Sequence, residues 1–99
     1  MDHEKLAKRL RTVHAINVTP FQEDRGVDYD LLERNIEFLI ASGLGVIVPC
    51  GNTGEFYALS VAEAQAVTRF VVKQVGGRAA VLAGIGYDMG TAREMALAA

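Results

Sequence analysis

The residues best placed to do chemistry lie in the run Val46-Ile-Val-Pro-Cys-Gly-Asn-Thr-Gly-Glu55, where an apolar strand enters a glycine-bracketed turn carrying an amide, a hydroxyl and an acid. Strand ends of this kind are where α/β folds bind small anions. Gly51 and Gly54 are read as taking backbone angles closed to other residues and as letting a ligand approach the main chain. Asn52 and Thr53 supply neutral hydrogen-bond donors between them. The set suits a carboxylate or a carbonyl. For Glu55 a general-acid role competes with a structural one, and an acid at a loop–helix junction more often hydrogen-bonds nearby backbone amides. Cys50 has no histidine placed to activate it and reads as a small buried residue at a strand end, not as a nucleophile.

Other residues with chemical potential read more plainly. Gly84-Ile-Gly-Tyr-Asp-Met-Gly90 resembles a dinucleotide fingerprint, but its third glycine comes one residue late and no acid follows about twenty positions on. Tyr57 and Tyr87 sit in strand-end loops, where packing is the commoner fate of such rings. His14 opens the first strand and is placed at the end remote from the chemistry. Lys8, Arg9 and Arg11 form a solvated basic face.

The elements that must position these residues follow from periodicity and punctuation. Residues 3–12 mix helix formers with charges and predict a short surface helix or frayed arm. Val13–Val18 reads as a strand ended by Thr19-Pro20. A helix follows with Asp28 as N-cap and Leu32, Ile36, Leu39 and Ile40 on one face, closed by Gly43 and Gly45 as a left-handed cap. After strand 46–48 and the polar turn, Ser60-Val-Ala-Glu63 is a capping box. It opens a helix that buries Ala64, Val67, Thr68, Val71 and Val75, turns Arg69 and Lys73 outward and stops at Gly76-Gly77. A third strand spans 79–83, and Thr91-Ala-Arg-Glu94 reads as a second capping box starting a last helix.

Strand, helix, strand, helix, strand, helix at about thirty residues per unit is the pattern of parallel α/β architecture. The strands are short, apolar and poorly alternating, as in sheets covered on both faces. Convergence of the three polar strand-end loops on one face is how a β/α barrel assembles a site.

Composition narrows the function classes. Ninety-nine residues, 51% hydrophobic, bury one core, and a net charge of −2 offers no electrostatic case for nucleic acid. The start Met-Asp-His-Glu-Lys is charged and the apolar runs are only strand-length, so a cytoplasmic protein without membrane contact is expected. One cysteine and two histidines leave no disulfide framework and no metal-ligand spacing.

Ile16-Asn-Val-Thr-Pro-Phe21, Gly51-Asn-Thr-Gly-Glu55 with Leu59 and Ser60, and Val81-Leu-Ala-Gly-Ile-Gly86 together resemble the opening third of the dihydrodipicolinate synthase and N-acetylneuraminate lyase family. The resemblance covers residues 13–99, with Gly-x-Thr-Gly-Glu its most specific element. It implies an eight-stranded β/α barrel, usually a homotetramer, that joins a lysine to pyruvate or another 2-oxo acid as a Schiff base without a cofactor. Gly51, Asn52, Thr53 and Gly54 would bind the substrate, Thr53 and the surrounding amides taking the carboxylate. Asn52 stands where the family often has a hydroxyl that relays protons with a tyrosine, and it has none to offer. Gly54-Glu-Phe56 looks more like members that dehydrate or cleave sugar acids, such as 5-dehydro-4-deoxyglucarate dehydratase and 2-keto-3-deoxygluconate aldolase.

Such a barrel needs about 200 to 250 residues, and the family's Schiff-base lysine and tyrosine lie on its sixth and fifth strands. Lys5, Lys8 and Lys73 fall on helical surfaces, where a solvated ammonium is a poor nucleophile. The expectation is therefore residues 1–12 as helix or arm and 13–99 as the first three βα units of a barrel, too short to close it. The alternative is a small non-catalytic α/β module that binds a ligand or partner, built as a doubly wound domain.

Overall fold

The computed structural model describes residues 2–99. It contains α1 (His3–Arg9), β1 (His14–Ala15), α2 (Tyr29–Ala41), β2 (Val46–Ile47), a 3₁₀ turn (Phe56–Ala58), α3 (Val61–Val75), β3 (Ala80–Val81) and α4 (Met89–Ala98). The strands form one parallel sheet in the order β1-β2-β3, with His14 beside Val46 beside Ala80 and Ala15 beside Ile47 beside Val81. A doubly wound module reverses its strand order at a switch point. Here each crossover steps one strand further in the same direction, as the winding of a barrel requires.

The helices begin where capping chemistry dictates. Asp28 accepts the amide of Leu31 at 3.0 Å, and Ser60 and Glu63 complete the reciprocal capping box. Their apolar faces meet over the sheet: Leu32 and Ile36 of α2, Ile47 of β2, Ala64, Val67, Val71 and Val75 of α3 and Met95 of α4 form one buried cluster. Tyr29 and Phe70 add a tilted ring contact at 4.9 Å between α2 and α3. At the base of the same helices, Glu37 takes both arms of the Arg78 guanidinium at 2.7 and 2.9 Å and the Gln74 amide at 2.5 Å. The opposite sheet face is uncovered: Ile16, Val18 and Leu82 are 43%, 47% and 44% exposed.

Several boundaries differ from the expectation. The strands are two residues long each where six, three and five were expected, although Val48 N still donates to Ala15 O at 2.8 Å and Gly84 N to Pro49 O at 2.9 Å. Pro49, whose carbonyl faces the β3 side, has no N–H to offer that strand, which ends the regular β2–β3 pairing. The last helix starts at Met89, because Asp88 accepts the Thr91 amide and is itself the N-cap; Thr91 is an interior first-turn residue, not a cap. Thr91 also holds the Asp88 carboxyl below its usual range. Only Gly43 of the pair closing α2 is left-handed, at φ 86°, since a single reversal suffices to end the helix.

Candidate functional site

The carboxyl end of β2 runs through Val48-Pro49 into the polar turn. Glu55 N donates to Asn52 O at 2.9 Å and closes a tight turn over residues 52–55, with Asn52 and Thr53 exposed at its rim and Gly54 buried beneath. The conformational role expected of the glycines belongs to their neighbours: Cys50 at φ 61° and Glu55 at φ 55° are left-handed, and Gly51 and Gly54 are not. What the glycines provide is space. A Cβ on Gly51 would lie 2.6 Å from Ile16 Cγ2, and one on Gly54 would lie 3.1 Å from the Asn17 carbonyl oxygen. The turn is pressed against the end of β1: a side chain at Gly51 would have to displace Ile16, and one at Gly54 would have to push back the Asn17 backbone.

Glu55 also departs from its expected role. Its side chain is exposed and caps nothing at the 3₁₀ turn that follows. A capping side chain reaches its amides from extended backbone, whereas Glu55 is left-handed at φ 55° and makes no cap hydrogen bond. Cys50 is buried, its Sγ 3.5 Å from Ala64 O and 3.7 Å from Thr68 Oγ1. Burial pushes the thiol's pKa up and Thr68 offsets only part of that, so the group is an inert packing residue, as read from the sequence.

The loop after β3 buttresses the turn. A Cβ on Gly84 would fall 2.1 Å from Cys50 O, and one on Gly86 would fall 2.7 Å from Phe56 Cε2. These glycines serve close packing of two strand-end loops, while Gly90 lies inside α4. Tyr87, left-handed at φ 69°, packs edge-on against Phe56 with centroids 5.7 Å apart. Its hydroxyl proton is shared between the carbonyl oxygens of Phe56 at 2.6 Å and Leu59 at 2.5 Å. Burial, with lesser contributions from Cys50 and Glu63, pushes this phenol's pKa up, which keeps it a donor. Tyr57 packs its ring 5.9 Å from Phe56 and remains largely exposed.

The remaining residues singled out lie away from the turn. His14 is at the amino end of β1, donating Nε2–H to Leu10 O at 2.8 Å. Lys5, Lys8, Arg9, Arg11 and Lys73 are all exposed. Asn17 and Thr19, not singled out in the sequence as site residues, are buried directly under the turn. The signal available was the pair of polar side chains Asn17 and Thr19, two positions apart and alternating with the apolar Ile16 and Val18. Among the described residues no group of three or more His, Cys, Asp or Glu could hold a metal ion, and no helix is long and apolar enough to cross a membrane.

Sequential parallel strands, helices over one sheet face and a polar turn at the strands' carboxyl ends place the chain in the β/α-barrel class, with the sheet not closed. The chain belongs to the dihydrodipicolinate synthetase family, whose family model matches residues 9–99. It is 46% identical over 71 residues to the 4-hydroxy-tetrahydrodipicolinate synthase of Pelodictyon phaeoclathratiforme, a match covering 72% of this chain and 24% of the relative. The dihydrodipicolinate synthase of Oceanobacillus iheyensis superposes with a TM-score of 0.92 at 48% identity, over 98% of this chain and 33% of that one. The chloride-inhibited synthase of Acinetobacter baumannii, solved in complex with pyruvate, superposes with a TM-score of 0.80 at 34% identity, over 86% of this chain and 30% of that one. The chain thus spans between about a quarter and a third of the length of the relatives it matches.

Proposed function

We propose that these residues form the carboxylate-binding third of a Schiff-base lyase acting on pyruvate or a longer 2-oxo sugar acid. The observation that carries the reading is the turn at the end of β2, which presents the Asn52 amide and the Thr53 hydroxyl at the barrel rim. Thr53 Oγ1 and the adjacent backbone amides take the carboxylate, and donors of this kind bind a carboxylate more strongly than a neutral group. A lysine supplied from beyond these strands adds its amine nitrogen to the keto carbon, and water leaves as the C=N bond forms. Asn52 holds the carbonyl side of the substrate by hydrogen bonding and passes no proton. The relatives matched at 46% and 48% identity are named as synthases, so the synthase reaction stands in this reading beside dehydration or cleavage of a sugar acid. The pyruvate held by the Acinetobacter baumannii relative supports the substrate class. Assembly as a cytoplasmic homotetramer belongs to the same proposal.

A chimera tests it. Residues 1–99 replace the matching third of the Oceanobacillus iheyensis synthase, and pyruvate is added with borohydride to reduce any imine. One pyruvate per chain on a lysine outside this segment is expected, while the 99 residues alone should trap none. An adduct with turnover on Lys5, Lys8 or Lys73, or a folded chimera that traps nothing, would overturn the proposal.

A further inference from the structure

Beyond β1 the chain alternates sharply. Ile16 and Val18 lie on the open sheet face, whereas Asn17 and Thr19 are 2% and 4% exposed. Asn17 Nδ2 donates to Val18 O at 3.0 Å, but Asn17 Oδ1 and Thr19 Oγ1 are buried without a partner among the described residues. Both residues abut the polar turn: a Cβ on Gly54 would lie 3.1 Å from Asn17 O and 3.3 Å from Thr19 Oγ1. Leucine and valine would fill these two places without burying an oxygen, so the polar choice costs folding free energy that packing does not return. Buried groups of this kind are partnered by ordered water or serve a site.

We propose that Asn17 and Thr19 are positioning residues of the carboxylate turn. Their side chains form a polar floor against Gly54, and this floor sets the orientation in which the amides of Thr53 and Gly54 receive the carboxylate. The inference rests on the reading of the turn as a carboxylate site and adds what keeps its donors aimed. It also explains the glycine at 54, because any side chain there would enter the space between the turn and Thr19 Oγ1.

The test uses the barrel-length protein that carries this segment, with pyruvate affinity read from the concentration dependence of borohydride trapping. Thr19→Val keeps the branched shape and removes the hydroxyl. It should weaken apparent pyruvate affinity about tenfold and leave the trapping rate at saturation within about twofold, the signature of lost uniform binding. Thr19→Ser should restore affinity to within about twofold of wild type, since the donor and acceptor return. Unchanged affinity in Thr19→Val, or Thr19→Ser as impaired as Thr19→Val, overturns the proposal. Should Thr19→Val not fold, Asn17→Leu decides: weaker pyruvate binding supports it, and unchanged binding with a raised Tm sinks it. Thr53→Ala separates the two levels. If it too leaves affinity unchanged, the carboxylate turn itself is wrong; if it weakens binding while Thr19→Val does not, only the positioning role falls.

Discussion

The α-carbon of Gly84 rests against the main chain of Cys50 so closely that a Cβ there would sit 2.1 Å from the Cys50 carbonyl oxygen. The loops after β2 and β3 are therefore one packed unit, and the polar turn inherits its position from a glycine about thirty residues away in sequence.

Gly84→Ala should be the most damaging single methyl in the segment. The obstacle is backbone, which cannot swing aside, so a loss of about 3 kcal/mol is expected from overpacking. Gly45→Ala, where nothing lies within 4 Å of the added carbon, serves as the control. Urea unfolding midpoints of the barrel-length protein would read the difference, and equal midpoints for the two variants would show that the loops are not packed as described.

Tyr87→Phe removes the hydroxyl shared by the Phe56 and Leu59 carbonyls but keeps the ring against Phe56. With the ring half-exposed, water can partly replace the bond, so a stability loss of about 1 kcal/mol is expected. Hydrogen exchange across the 3₁₀ turn Phe56–Ala58 should speed up well beyond that in α2. Unaltered exchange there would remove Tyr87 from the role of clamp.

Thr53→Ala removes a donor at the rim without touching the buried core. A hydrogen bond to a carboxylate is worth about 1.5 to 3 kcal/mol, so pyruvate affinity should fall about tenfold or more while the unfolding midpoint stays put. A midpoint shift with unchanged affinity would make Thr53 a structural residue instead.

Glu37 gives a pH signature remote from the site. The bidentate Arg78 guanidinium, then the Gln74 amide, hold its pKa down to about 2 from an ordinary 4.5. A carboxylate depressed in the folded state contributes stability that is fully present above its unfolded pKa and is lost as pH falls through the folded one. The stability gap between wild type and Glu37→Gln should therefore be constant above about pH 5 and close as pH drops from 4.5 toward 2. Because both partners are exposed, salt should narrow the gap. Chemical denaturation across pH at low and high salt measures it, and a gap that persists unchanged at pH 2 would refute the assignment.

Local chemistry made much of this chain legible from its residues. The Asp28 cap, the Ser60–Glu63 box and the stripes of Leu32 and Ile36 and of Ala64, Val67, Val71 and Val75 all depend on neighbours within four positions, which a linear sequence displays directly. The polar turn was legible for the same reason, as were the burial of Cys50 and the exposure of the lysines. Two misreadings were local as well: Asp88 outcompeted Thr91 as cap, and the left-handed angles fell on Cys50 and Glu55 beside the glycines. Only the tertiary structure decided why the glycines are glycines, since Gly51, Gly54, Gly84 and Gly86 are set by approach to Ile16, Asn17, Cys50 and Phe56 from other loops. Distance in sequence hid the Glu37–Arg78 pair and the Tyr87 clamp too. It likewise hid the polar floor of Asn17 and Thr19. Alternation shows that two side chains share a face, but whether that face is wet or buried depends on what the rest of the chain lays over it.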